Sequence, residues 1–225
     1  MCFSAGASFG ASAVLGLIGI VAVKKARTTP QRLFALIPLF FSFQQLSEGM
    51  LWISIKDPGF TAWRSASAYL FLFFAKVAWP VWIPLTTWLL EKDPKSKKIL
   101  SILLGTGILV SSFLLCSLLI FDLQVISTHH HLHYRFDFPD GIRGITWIFS
   151  IFYLVVTVAP TFISGIERMK WLGLAFIVSY LVSQIFFDGF VVSTWCYFAA
   201  ILSGVVLWII LGAQRALRTT NNTTL

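Results

Sequence analysis

The chain has 225 residues, 57% of them apolar and only 12% charged. A water-soluble domain of that length cannot hide so much apolar surface, so the composition excludes a soluble globular enzyme and selects the bilayer as solvent. A net charge of +8 would suggest nucleic acid in a soluble protein. Here basic loops facing an anionic leaflet explain it, and no nucleic-acid partner is expected.

Seven apolar stretches predict an all-α integral membrane protein, with one transmembrane domain over residues 1–225. Span one covers about 5–23, and its first cations, Lys24 and Lys25, come after the apolar run. It therefore reads as an uncleaved anchor rather than a signal peptide. Its Ser8, Gly10, Ala11, Ser12, Gly16 and Gly19 suit close helix packing. Span two covers about 33–55. Span three, about 66–90, contains Pro80 and Pro84, which predict a kink. Span four, about 99–121, is nearly pure Leu, Ile and Val and should face lipid. A long polar gap from Asp122 to Gly144 holds all four histidines, and loops of such length are often functional. Spans five, six and seven cover about 145–163, 171–187 and 193–212. The last two are joined so tightly that they must be antiparallel neighbours.

The cations give these spans an orientation. Lys24, Lys25, Arg27, Arg32, Lys92, Lys95, Lys97, Lys98, Arg168, Lys170, Arg215 and Arg218 fall in alternate gaps, 12 of the 17 Lys and Arg. Only Lys56, Arg64, Arg135 and Arg143 fall in the others, and Lys76 lies within span three. By the positive-inside rule the N-terminus is outside, the C-terminus is cytoplasmic, and the chain sits in the inner (plasma) membrane.

Ionisable groups within spans are expensive and tend to face the bundle interior. Glu48 and Lys76 lie at similar depth in the outer half, so they are expected within ion-pairing or one-water distance, as a structural pair or as the wall of a cavity. Gln44 and Gln45 precede Glu48 by four and three residues and belong to the same polar stripe. Tyr180, Gln184 and Asp188 form a second stripe in span six. Both stripes, with Trp195 at the start of span seven, predict an outward-opening pocket. The other reading is a hydrogen-bonded helix interface.

The run His129-His130-His131-Leu132-His133-Tyr134 has metal-ligand spacing whether it is helical or extended. His129, His131 and His133 are the candidate ligands, for a divalent ion such as zinc, against the alternative of an incidental His-rich surface loop. Cys2 and Cys196 both fall toward the outer face, where a disulfide, two unpaired thiols or a reactive pair are the alternatives. Cys116 in span four reads as a packing residue.

The opening Met1-Cys2-Phe3-Ser4-Ala5 is unusual for a membrane protein. With Gln45-Leu46-Ser47-Glu48-Gly49, the His-His-Leu-His-Tyr run and Ser193-Thr194-Trp195-Cys196, it resembles a bacterial family of small multi-span proteins that carries no established activity. Members of that family often show His where this chain has Gln44, a weaker metal ligand. The resemblance implies that Cys2, Glu48, the histidine loop and Cys196 form one functional unit.

Two kinds of function follow. One is a metal-assisted membrane hydrolase acting on a lipid or lipophilic substrate, with Glu48 as base or ligand and Lys76 tuning it. It would resemble seven-helix alkaline ceramidases in span count and orientation alone. The other is a ligand-binding receptor or sensor, or a carrier of a small solute or metal. Membrane lipids and a small lipophilic ligand are the expected partners.

Overall fold

The computed structural model describes residues 4–128, 131–166, 168–186 and 198–222. Helix α1 (Ala5–Lys25) starts where the Ser4 side chain accepts from the Ala7 N–H at 3.2 Å, and it ends on Lys24 and Lys25. Helices α2 (Thr29–Ala35) and α3 (Ile37–Lys56) divide the predicted second span. The division lies in an apolar run and is caused by Pro38. Proline has no N–H to give to the carbonyl four residues back, so the Leu36 N–H tightens onto Leu33 O at 3.3 Å and a new helix begins.

The α1–α3 contact is built from small residues. Ser12 Oγ donates to Ser42 O at 2.9 Å, and Ser42 Oγ donates back to Ser12 O at 2.8 Å. Leu39 packs on Gly19 and the Phe9 ring packs on Gly49. Such close backbones and reciprocal hydroxyl bonds are how helices associate where apolar burial gives no advantage over lipid.

The predicted third span lengthens into a run from Pro58 to Leu90. A short 3₁₀ turn leads into α4 (Arg64–Leu72), a π-helical segment spans Phe73–Ala78, and α5 (Trp79–Leu90) follows. The expected kink thus takes the form of a π-segment ahead of Pro80. In π spacing the Ala75 carbonyl would look to residue 80 for a donor, and proline offers none. Tyr153 Oη of α7 donates to Ala75 O instead, at 2.8 Å. Ser111 Oγ of α6 donates to Val77 O at 2.6 Å.

Helix α6 (Pro94–Ile120) is capped by Asp93, which accepts from the Ser96 N–H at 2.8 Å. Only 22% of its apolar window is buried, against 44% for the Pro58–Leu90 run, and Ile102, Leu109 and Leu119 point outward. That is the behaviour expected of a helix facing an apolar solvent. Helices α7 (Asp140–Ile163), α8 (Met169–Phe186) and α9 (Ala199–Asn222) complete the bundle, and α8 packs beside α9. A core around Leu15, Phe34, Ile37, Ile83, Leu172 and Val206 joins the helices.

Among the described residues, four segments are long and apolar enough to cross a membrane: Ala5–Lys25, Pro58–Leu90, Pro94–Ile120 and Gly144–Ile163. Helix α3 is less apolar because it carries Gln44, Gln45 and Glu48, all buried in the bundle.

The long gap between spans four and five is not a plain loop. Strands β1 (Leu123–Thr128) and β2 (His131–Phe136) form an antiparallel hairpin, with Leu123 opposite Phe136 and Thr128 opposite His131. The residues alternate in character, and alternation at period two is strand chemistry. Leu123, Val125, Leu132, Tyr134 and Phe136 pack on Leu51, Trp52, Phe71 and Leu118. Arg64 Nη2 donates to Val125 O at 2.8 Å and ties the hairpin to α4. The hairpin closes one end of the bundle. The turns after α1, after α5 and after α7, with Lys24, Lys25, Lys92 and Arg168, belong to the opposite end.

Candidate functional site

Two polar groups that the sequence joined make different contacts in the structure. Glu48 is completely buried, and Gln45 Nε2 donates to its Oε2 at 3.3 Å. This pairing within one helix face uses the three-residue spacing. Gln44 is 1% exposed but points elsewhere, into a cavity of about 210 Å³. Adjacent helical residues are ~100° apart, so Gln44 and Gln45 serve different neighbours.

The cavity lies among α3, the π-segment, α5, α6, α7, α8 and α9. Phe41, Trp79, Leu154, Phe176 and Leu202 give it apolar walls. Its polar lining is Gln44, Lys76, Ser150, Tyr153, Thr157 and Tyr180. Lys76 enters from the π-segment, and its Nζ lies 4.6 Å from the centroid of the Phe136 ring on the hairpin. Glu48 and Lys76 thus make different contacts, Gln45 for the one and Phe136 for the other. The Lys76 ammonium turns to an aromatic face, and Glu48 is not part of the cavity wall.

The donors around the cavity divide into two kinds. Tyr153 Oη is committed to Ala75 O, and Ser150 Oγ donates to Thr146 O at 2.9 Å. The Thr157 hydroxyl, 1% exposed and one turn along α7 from Tyr153, has no hydrogen-bond partner among the described residues. Hydroxyls on apolar helices ordinarily bond back to a carbonyl one turn earlier, as Thr106 and Ser117 do here.

The second predicted stripe is half present. Tyr180 lines the cavity, whereas Gln184 is exposed and Ser183 takes the buried position beside it. His133 on β2 alternates with Leu132 and Tyr134, which pack on the bundle, so it belongs to the opposite strand face. His131 pairs with Thr128 at the end of the same ladder. No group of three His, Cys, Asp or Glu side chains that could hold a metal occurs among the described residues. Cys2, His129, Asp188, Trp195 and Cys196 lie outside the described residues. Cys116 is an exposed free thiol rather than a buried packing residue.

Three lining residues, Ser150, Tyr153 and Thr157, escaped the sequence reading. Their signal was a run of hydroxyl-bearing side chains spaced by three and four residues within an apolar helix.

A mainly helical bundle with four membrane-length apolar segments among the described residues, and a mainly apolar cavity carrying a few polar groups, is compatible with a membrane protein. The chain belongs to a family of unknown function (DUF6629), matched over residues 1–222. No curated protein and no solved structure matches it.

Proposed function

We propose that this chain is a seven-span protein of the plasma membrane, N-terminus outside and C-terminus in the cytoplasm, that binds a small lipophilic ligand in the cavity around Lys76. The observation that carries the reading is the lining: aromatic and aliphatic walls with a few convergent polar groups, which is the composition of small-molecule sites. A receptor, a sensor and a carrier all require such binding. The metal-assisted hydrolase draws no support from this cavity, whose described lining does not include Glu48.

Filling the cavity tests the binding. Thr157→Phe projects a ring into the space from a buried α7 position. Purified in lipid nanodiscs, the wild-type protein should retain a small lipophilic compound, detectable by mass spectrometry of the extract. The variant should retain at least tenfold less. Equal retention by both, or none by either, counts against the reading.

The orientation rests on the cations gathered at the end opposite the hairpin. In a background with the native cysteines replaced by serine, Gln124→Cys on the hairpin should react with a membrane-impermeant maleimide in intact cells. Lys95→Cys should react only after lysis. Both positions are exposed, and the reverse pattern would invert the topology.

A further inference from the structure

We infer that the ligand of this cavity is an anion, a small lipophilic carboxylic acid whose carboxylate sits on Lys76; the inference rests on the ligand-binding reading above. The described lining contains one cation and no acidic side chain: its other polar members are Gln44, Ser150, Tyr153, Thr157 and Tyr180. Lys76 makes no hydrogen bond among the described residues, and its contact is the face of Phe136. A cation–π contact is worth about 0.5–2 kcal/mol. The penalty for keeping an ammonium out of water is several kcal/mol. The ring therefore offsets only part of that cost, and among the described residues the site is one negative charge short.

A second group points the same way. The Thr157 hydroxyl is buried in the same lining with no partner among the described residues. A donor left idle in the interior costs about 1–3 kcal/mol, and a ligand oxygen would recover it. Tyr153 Oη cannot take that role while it holds the Ala75 carbonyl. The cavity thus offers an ammonium at the π-segment and a hydroxyl on α7, with aromatic walls between. A neutral or cationic ligand would leave the lysine as it is.

Size narrows the class. An engineered cavity of ~150 Å³ accepts benzene, so by proportion a volume of about 210 Å³ holds roughly eight to ten non-hydrogen atoms. That excludes a whole phospholipid and fits an aryl-alkyl or short aliphatic acid.

The test compares three probes of one shape on the full chain in nanodiscs: phenylacetate, phenylethanol and phenylethylamine, titrated by calorimetry at pH 7. The acid should bind at least tenfold more tightly than the alcohol, and the amine more weakly than both. Lys76→Met should bring acid and alcohol together, whereas Lys76→Arg should keep the acid preference. Thr157→Val should weaken the acid by a smaller factor. Equal affinities for acid and alcohol in the wild type, or an acid preference that survives Lys76→Met, would overturn the anion assignment and leave the cavity as a ligand site. Failure of all three probes to bind would overturn both.

Discussion

Exchanging Glu91 for alanine should lower the stability of the bundle by about 4.5 kcal/mol at neutral pH, the sum of three charge-assisted hydrogen bonds at the low end of their range. Glu91 is the first residue after α5, and it is only 6% exposed. Its Oε1 accepts from the Lys92 and Asp93 N–H groups at 2.8 and 3.0 Å. Its Oε2 accepts from the Gly165 N–H at 2.7 Å, at the junction of α7 and α8. One carboxylate thus ties together two turns that are 74 residues apart in sequence. Burial pushes its carboxyl up, but the backbone donors from Asp93, Gly165 and Lys92 outweigh burial and hold it below the usual carboxylate range. A carboxyl lowered by folding gives stability that is complete above its unfolded pKa and is lost as pH falls through the folded one. The Glu91 contribution should therefore be whole at pH 7 and shrink below about pH 4. Thermal unfolding in nanodiscs at both pH values reads this directly. Glu91→Gln keeps an acceptor oxygen and should lose less at pH 7, and its loss relative to wild type should also shrink at low pH, because glutamine does not titrate. If Glu91→Ala costs under 1 kcal/mol, or if its cost is the same at both pH values, the carboxylate does not hold the two turns together.

The sequence made the apolar helices legible and the directions of their side chains much less so. Helices α6 and α7 lie close to where apolar runs predict them, because every backbone polar group in such a run must be bonded within the helix. The break at Leu36 was hidden, since the residues on both sides of Pro38 are apolar and hydropathy carries no record of a missing N–H. The hairpin had its alternation in plain view between Leu123 and Phe136, but four histidines in that stretch drew the reading toward metal chemistry. Depth along the spans put Glu48 and Lys76 at similar levels, and depth was the wrong coordinate. A π-segment adds a residue to the turn and rotates everything after it by ~100°. Lys76 lies within that segment, so its direction depended on an irregularity that Pro80 causes only in the context of Tyr153 and Ser111. The candidate site was therefore found residue by residue, with Gln44, Lys76 and Tyr180 in it and Gln45, Glu48 and Gln184 outside it.

Gly107→Val should cost roughly 3 kcal/mol or prevent assembly, at the upper end of what overpacking does. The reason begins with a proline pair. Pro84 has no N–H to offer the carbonyl of Pro80 four residues earlier, so that oxygen is turned toward α6 instead of being capped within α5. Gly107 on α6 faces it, and a Cβ built there would overlap Pro80 O and press on Pro80 C and Pro84 Cγ. Backbone carbonyl atoms cannot rotate aside as a side chain could, so even Gly107→Ala must push α6 away from α5. That displacement would not stay local. Ser111 lies one turn further along α6 and holds the Val77 carbonyl in the π-segment, next to Lys76. Loosening α6 should therefore weaken ligand binding in the cavity as well as stability. Gly105 supplies the control, since a Cβ there meets nothing within 4 Å. Gly105→Ala, which removes a helix-disfavouring glycine, should be neutral or stabilising by up to about 1 kcal/mol. If unfolding measured in nanodiscs shows the two alanine variants to be equal, the close approach of α6 to the Pro80 carbonyl does not determine how these helices pack.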